Sequence, residues 1–381
     1  MRWQGKLRAA ALSNNRRQAV MSAAEQLVEL GPESRESRSQ KPIPRKKLVR
    51  KPGRDWSQPV RRVLQGLFVA LNLYLGVQFY LFVRQFEAGS GSLGVPRPAG
   101  VEGWLPIAGM MNLKFYLLTG RVPEIHPASM VLLAAFLLIS ILFRKAFCSW
   151  LCPIGTVSEA LWKLGRGFLK KNWVLPRWVD IPLRGLKYLL LAFFVYAVAG
   201  LSAEGIQAFL SSPYGMVADV KMLNFFRFLG TTTAVTLASL VLLSIFFQNF
   251  WCRYLCPYGA LMGLASLLSP ARIRREPERC IDCAKCTRAC PALLPVDKLA
   301  FVRSAECTGC LECIAVCPAR GALEFSLPAR RRLPVWGMAA GIAILFLGII
   351  GYAKWRGAWE SRIPESVYRQ YVPVANEFQH P

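Results

Sequence analysis

Five uncharged apolar runs punctuate this 381-residue chain and limit its fold more than any other feature. They cover 63–83 between Arg62 and Arg84, 127–143 between His126 and Arg144, and 188–203 after Arg184 and Lys187. The last two are 228–251, between Arg227 and Arg253, and 333–353, between Arg332 and Lys354. A bilayer core of ~30 Å takes about 20 helical residues, and only structures that satisfy their own backbone can cross it. Five transmembrane helices are therefore expected. Lys and Arg in the six intervening segments number 16, 4, 8, 2, 13 and 4, a strict alternation of high and low. By the positive-inside rule the N-terminus is cytoplasmic and the C-terminus extracytoplasmic. The net charge of +26 would suit a nucleic-acid binder, but 54% hydrophobic residues do not, so the charge reads as topology and nucleic acid is not an expected partner.

Residues 1–60 form a separate, basic segment rich in Ser, Arg and Pro. Without apolar periodicity over 34–59, it reads as a disordered cytoplasmic tail near anionic lipid. Ser22 and Glu25 have the spacing of a capping box for a short helix over 22–30. Arg16-Arg17 is not followed by the hydrophobic region that a signal requires.

All twelve cysteines fall in patterned motifs. Cys280, Cys283, Cys286 and Cys290-Pro291 read C-x2-C-x2-C-x3-C-P, and Cys307, Cys310, Cys313 and Cys317-Pro318 repeat it. This spacing holds two [4Fe–4S] clusters, the fourth Cys of each run serving the other cluster. One cluster would take Cys280, Cys283, Cys286 and Cys317; the other would take Cys307, Cys310, Cys313 and Cys290. A cubane needs four converging soft thiolates, and crossing the runs supplies the fourth from a new direction. Zinc would not need two complete four-Cys runs ending in Pro, and a disulfide framework does not suit a reducing compartment.

The other four cysteines form a second repeated motif. Phe147-Cys148-Ser-Trp-Leu-Cys152-Pro153-Ile-Gly155 follows the second apolar run, and Trp251-Cys252-Arg-Tyr-Leu-Cys256-Pro257-Tyr-Gly259 follows the fourth. Two parallel two-helix repeats are expected, related by an axis along the membrane normal. Cysteines at i and i+4 share one face of an α-helix, so each repeat presents a thiol pair at the membrane surface. The four thiols read as a redox or metal site, as buried packing residues, or as disulfide partners; a disulfide within one helical pair fits the required geometry poorly.

With these motifs the chain resembles the polyferredoxin-type membrane proteins over residues 60–335. That group includes the ferredoxin-type quinol dehydrogenase subunit of periplasmic nitrate reduction, and is similar to the nitrous oxide respiration regulator and the cytochrome oxidase assembly ferredoxins. The resemblance implies an inner-membrane electron-transfer protein of bacteria, working with the quinol pool and a redox partner or subunit. The expected organisation is a basic tail (1–60), membrane repeats over 61–165 and 183–270, and a ferredoxin-like α+β insert over 271–329. A fifth transmembrane helix (330–355) and an extracytoplasmic tail (356–381) complete it.

Absent residues narrow the chemistry. His126 and His380 are the only histidines and no C-x-x-C-H occurs, so haem is not expected. Gly89-x-Gly91-x-x-Gly94 has a dinucleotide spacing but follows a membrane span, not a strand, and reads as an outer loop. For a quinol site the outer loops offer Glu124, His126, Asp219 and Lys221, beside amphipathic stretches over 104–118 and 216–229. Electron transfer between quinol and a reductase partner is the leading expectation, with a copper assembly factor or a cluster-based redox sensor as alternatives.

Overall fold

The computed structural model describes residues 48–380 apart from positions 52, 54, 88–93, 171 and 329–330. The basic segment before residue 48, its expected helix over 22–30 and most of the 89–94 loop lie outside the described residues. The first helices are α1 (Ser57–Glu87), α2 (Pro106–Thr119), α3 (Pro127–Phe143), α4 (Pro153–Leu169) and α5 (Arg177–Ala199). Then come α6 (Ala203–Leu210), α7 (Ala218–Arg227), α8 (Thr231–Phe246) and α9 (Pro257–Ala265). A short two-stranded unit follows, comprising β1 (Arg272–Arg275), α10 (Lys285–Ala289), α11 (Glu312–Ala315) and β2 (Leu323–Ser326). Helices α12 (Val335–Trp355) and α13 (Glu365–Tyr371) close the chain. Proline opens α2, α3, α4 and α9, where its missing N–H costs nothing and its fixed φ suits the first turn.

Among the described residues three helices, α1, α5 and α12, are long and apolar enough to cross a membrane. A fourth span results if α7 and α8, bent by 79° across a short break, count as one. The expected second span is the 17-residue α3, about 25 Å at the helical rise and so at the short end for a bilayer core. It is the central helix of the bundle, with eleven of its residues buried. Helix α12 packs directly on it. A Cβ at Gly341 would lie 2.5 Å from the tip of the Phe143 ring and would push it aside, whereas one at Gly337 would meet Leu333 and Pro334 of its own turn.

Both ends of the bundle are capped. At one end β1 and β2 pair antiparallel, Arg272 opposite Ser326, and frame the two long cysteine runs. At the other, α2, α6, α7 and α13 gather; α7 is amphipathic as expected, whereas α2 is apolar without a distinct polar face. Lys114 donates to the carbonyls of Val198, Ala199 and Leu201 at 2.6–3.0 Å and so caps the C-terminus of α5. The C-terminal tail is docked. Tyr368 and Val372 are buried against Phe79, Phe82 and Val83 of α1, Lys221 bonds the carbonyls of Ala375 and Phe378, and His380 lies against Phe209 and Tyr214. Asn72 and Gln78 tie α1 to the following loop, the first accepting from Trp104 and the second donating to the Pro96 carbonyl.

Candidate iron–sulfur centres

Each long cysteine run folds as the same tight loop. Asp282 and Ala284 in the first run, and Gly309 and Leu311 in the second, all take left-handed backbone conformations with φ between 53° and 61°. These are the positions two and four after the first cysteine of each run. Alternating left- and right-handed residues turn successive N–H groups into one concavity that favours an anion, and three of the four positions bear a side chain that makes this costly. The cysteines then collect in two groups. Cys280, Cys283, Cys286 and Cys317 line one void; Cys290, Cys307, Cys310 and Cys313 line another, walled by Ile273, Val302 and Leu311. Burial pushes Cys290 up to about 11 and Cys310 up to about 12, so binding a metal centre displaces protons from them.

The two short motifs differ from the α-helical face that their i, i+4 spacing predicts. Residues Phe147–Leu151 and Trp251–Leu255 are each a single π-helical turn. The N–H of Cys152 bonds the Phe147 carbonyl at 2.9 Å, and that of Cys256 bonds the Trp251 carbonyl at 3.0 Å. Pro153 and Pro257 cannot continue such a turn, so Cys152 and Cys256 become extended N-caps of α4 and α9. Their sulfurs accept the N–H of Gly155 at 3.4 Å and of Gly259 at 3.2 Å. In the first copy glycine is required, because a Cβ at 155 would sit 2.2 Å from the Cys148 carbonyl oxygen. All four cysteines line one cavity of about 630 Å³. Burial, reinforced by the neighbouring thiols, raises Cys148 to about 11 and Cys152 to about 12.

That cavity runs along the bundle. Its walls are apolar side chains of α1, α3 and α12, including Phe68, Leu75, Phe136 and Ile350. Leu71 and Leu347 line it while remaining 42% and 65% exposed on the outside of the bundle, so its mouth lies between α1 and α12. Its inner end holds the four thiols, Lys145, Tyr258 and Glu306, and Cys310 lines both this cavity and the void of the second cysteine group. Among the described residues no three His, Cys, Asp or Glu side chains converge closely enough for a single metal ion. A four-iron cubane spreads its ligands around its own bulk.

Buried polar bonds clamp the cysteine loop onto the membrane motif. Trp150 donates to the Gly309 carbonyl at 3.1 Å, Ser149 to Thr308 at 2.6 Å and Gln58 to Cys310 at 2.9 Å. Arg61, wholly buried, binds Glu159 through both amino nitrogens at 2.6 and 2.7 Å and reaches Glu312 at 3.1 Å. Burial would raise the Glu159 carboxyl, but Arg61 and Lys163 outweigh it and hold it at about 2. Lys187 binds Glu306 at 2.6 Å. Burial opposes ionisation of Glu306 too, yet Lys145 and Lys187 keep it below its ordinary range. None of these charged residues stands out in the sequence, where Arg61, Arg144, Lys145 and Arg253 look like ordinary flanks of apolar runs. All four are buried.

The four outer residues picked for quinol do not form one site. His126 and Asp219 meet in a closed cluster with Arg97 and Glu102, two residues that sequence patterns gave no reason to choose. Arg97 reaches Asp219 at 2.7 Å and Glu102 at 2.8 Å, and His126 lies 3.3 Å from Glu102 and 3.0 Å from the Gly215 carbonyl. Burial lowers the His126 pKa, but the Glu102 hydrogen bond and charge more than reverse it. Lys221 serves the C-terminal tail, and Glu124 contributes its backbone carbonyl to Arg362 and Ser361.

Comparison with known proteins agrees with this division. Residues 125–172 and 229–276 each match a 4Fe-4S binding domain family, one short motif in each, and residues 272–319 match a 4Fe-4S dicluster domain. Protein NirI of Paracoccus denitrificans is 30% identical over 55% of this chain and 30% of its own length. The ferredoxin-type protein NapH of Haemophilus influenzae is 28% identical over 43% of this chain and 55% of its own. No solved structure matches. The putative electron transport protein YccM of Escherichia coli is 50% identical over 86% of this chain and 94% of its own length, and on that similarity the chain belongs to the family of ferredoxin-type membrane electron transport proteins.

Proposed function

We propose that the protein carries electrons between quinol in the bilayer and a redox partner, through iron–sulfur centres at the cytoplasmic face of a bacterial inner membrane. The observation that carries this reading is the shared cavity. One apolar space, open between α1 and α12, is lined at its inner end by all four short-motif cysteines and by Cys310. Pockets for small ligands are mostly apolar with a few convergent polar groups, which suits a hydroquinone ring with an isoprenoid tail.

The crossed groups Cys280, Cys283, Cys286, Cys317 and Cys307, Cys310, Cys313, Cys290 would each hold a [4Fe–4S] cluster, and the two short motifs together would hold a third. Their donor sets fit: four thiols in each case, with left-handed loops around two and N–H···S bonds at the other. When bound, such clusters carry electrons one at a time. The chain's own residues do the rest. Tyr258, packed edge-on against Phe136 and Phe147 at 6.5 and 5.9 Å, presents a hydroxyl at the inner end that can bond a quinol oxygen. The ionised Glu306 carboxylate offers an acceptor for its O–H. Apolar walls keep water away.

The test is anaerobic addition of a reduced quinol analogue to the full chain in nanodiscs, read by EPR. Cluster reduction is expected, and Leu347→Trp at the mouth should slow it at least ~10-fold without loss of iron. Wild-type clusters that stay oxidised would sink the proposal.

A further inference from the structure

Lys145 is a charge at the four-cysteine end of the cavity whose carboxylate partner, Glu306, is shared with Lys187. Lys145 is only 4% exposed and lines the cavity beside the thiols. Among the described residues its ammonium makes no hydrogen bond and closes no ion pair. Glu306, the acid on which its charge acts most strongly, is already bonded to Lys187 at 2.6 Å. One carboxylate, Glu306, thus answers two ammoniums, Lys145 and Lys187, and the backbone is bent where it holds the first of them at the cavity wall. Arg144, just before it, has φ 63° and ψ −164°, secured by its N–H to Ser269 at 3.2 Å and its guanidinium to the carbonyls of Ser266 and Ser304.

Neutral thiols would leave the two ammoniums with the single Glu306 carboxylate between them. Four thiolates around an iron–sulfur core carry a net negative charge and would compensate them. We propose that Lys145 is the counter-charge of a cluster held by Cys148, Cys152, Cys252 and Cys256, and that it raises the reduction potential of that cluster. This inference rests on the four-cysteine assignment proposed above. The step it governs is the addition of one electron, supplied by quinol, with no bond made or broken at the cysteines. That electron adds negative charge to a dehydrated site, which burial opposes. A fixed positive charge and N–H···S bonds, here from Gly155 and Gly259, favour it; charge, hydrogen bonding and exposure are the levers that set such potentials.

EPR-monitored redox titration of the full chain in nanodiscs tests this, with iron content measured in parallel. A double variant, Cys152→Ser with Cys256→Ser, identifies the signal of the four-cysteine centre; if it keeps all iron and every signal, the underlying assignment fails. With that signal identified, Lys145→Met should lower its midpoint by at least ~59 mV, a tenfold loss in the one-electron equilibrium. Lys145→Arg should leave it near the wild-type value, and the signals of the other two clusters should not move. An unchanged midpoint in Lys145→Met overturns the role of Lys145 and leaves the four-cysteine assignment standing. If Lys145→Met does not retain the centre, Lys145→Arg should retain it, and loss in both variants overturns the inference as well.

Discussion

Gly155 and Gly259 occupy equivalent places in the two short motifs, yet the space around them differs. A methyl group at 155 would lie 2.2 Å from a backbone oxygen, whereas at 259 its nearest neighbours are 3.5 Å away. Overpacking against backbone costs about 1–3 kcal/mol. Gly155→Ala should therefore destabilise the protein by about that much and lower its iron content. Gly259→Ala should change thermal unfolding in detergent by no more than ~0.5 kcal/mol. Equal effects from the two variants would show that the copies are not built differently. At this scale the cysteines were legible because their spacing is a covalent constraint on ligand geometry. Lys145, Arg61 and Glu306 were not, since a cation next to an apolar run reads the same whether it faces headgroups or is turned inward.

Among the elements, apolar runs located helices but not their ends. Helix α3 stops at Phe143, and the chain then enters a π turn that no hydrophobic periodicity distinguishes from continued α-helix. The break at Gly230 bends α8 away from α7. The seven-residue α13 was invisible for a different reason: its helix is too short for a periodic signal, and its place comes from tertiary packing. Its burial has a measurable consequence. Ending the chain after Gly357 removes Tyr368, Val372 and Ala375 from their contact with α1 and α7. That variant should lose stability by at least ~3 kcal/mol, seen as a lower unfolding temperature, while cluster absorbance in the cold remains. Simultaneous loss of the clusters would mean that the tail supports both ends of the bundle.

For the whole molecule, the structure places the cysteine-rich unit and the C-terminal tail at opposite ends of the helix bundle. Helix α1 starts beside Cys310 and ends beside Tyr368, and α12 begins near Gly309 and leads to the docked tail. With the cysteine-rich end in the cytoplasm, alkaline phosphatase fused after residue 381 should be active in cells and a fluorescent protein fused there should be dark. The reverse pattern would invert the proposed orientation. Part of the charge signal has another use, however. Several cations counted toward topology neutralise carboxylates or line the thiol cavity, so the positive-inside pattern coexists with an internal electrostatic framework.

The shared wall formed by Cys310 also bears on the order of assembly. Two thiols of the membrane cavity come from residues 148 and 152 and two from 252 and 256, while Glu306, Thr308 and Cys310 roof the space. During synthesis the roof is the last of these to appear, and α12 follows it. A centre bound by all four thiols therefore has to be inserted before the roof docks, or else enter between α1 and α12. On the proposed assignment the loop that carries Cys310 is thus the lid of that chamber.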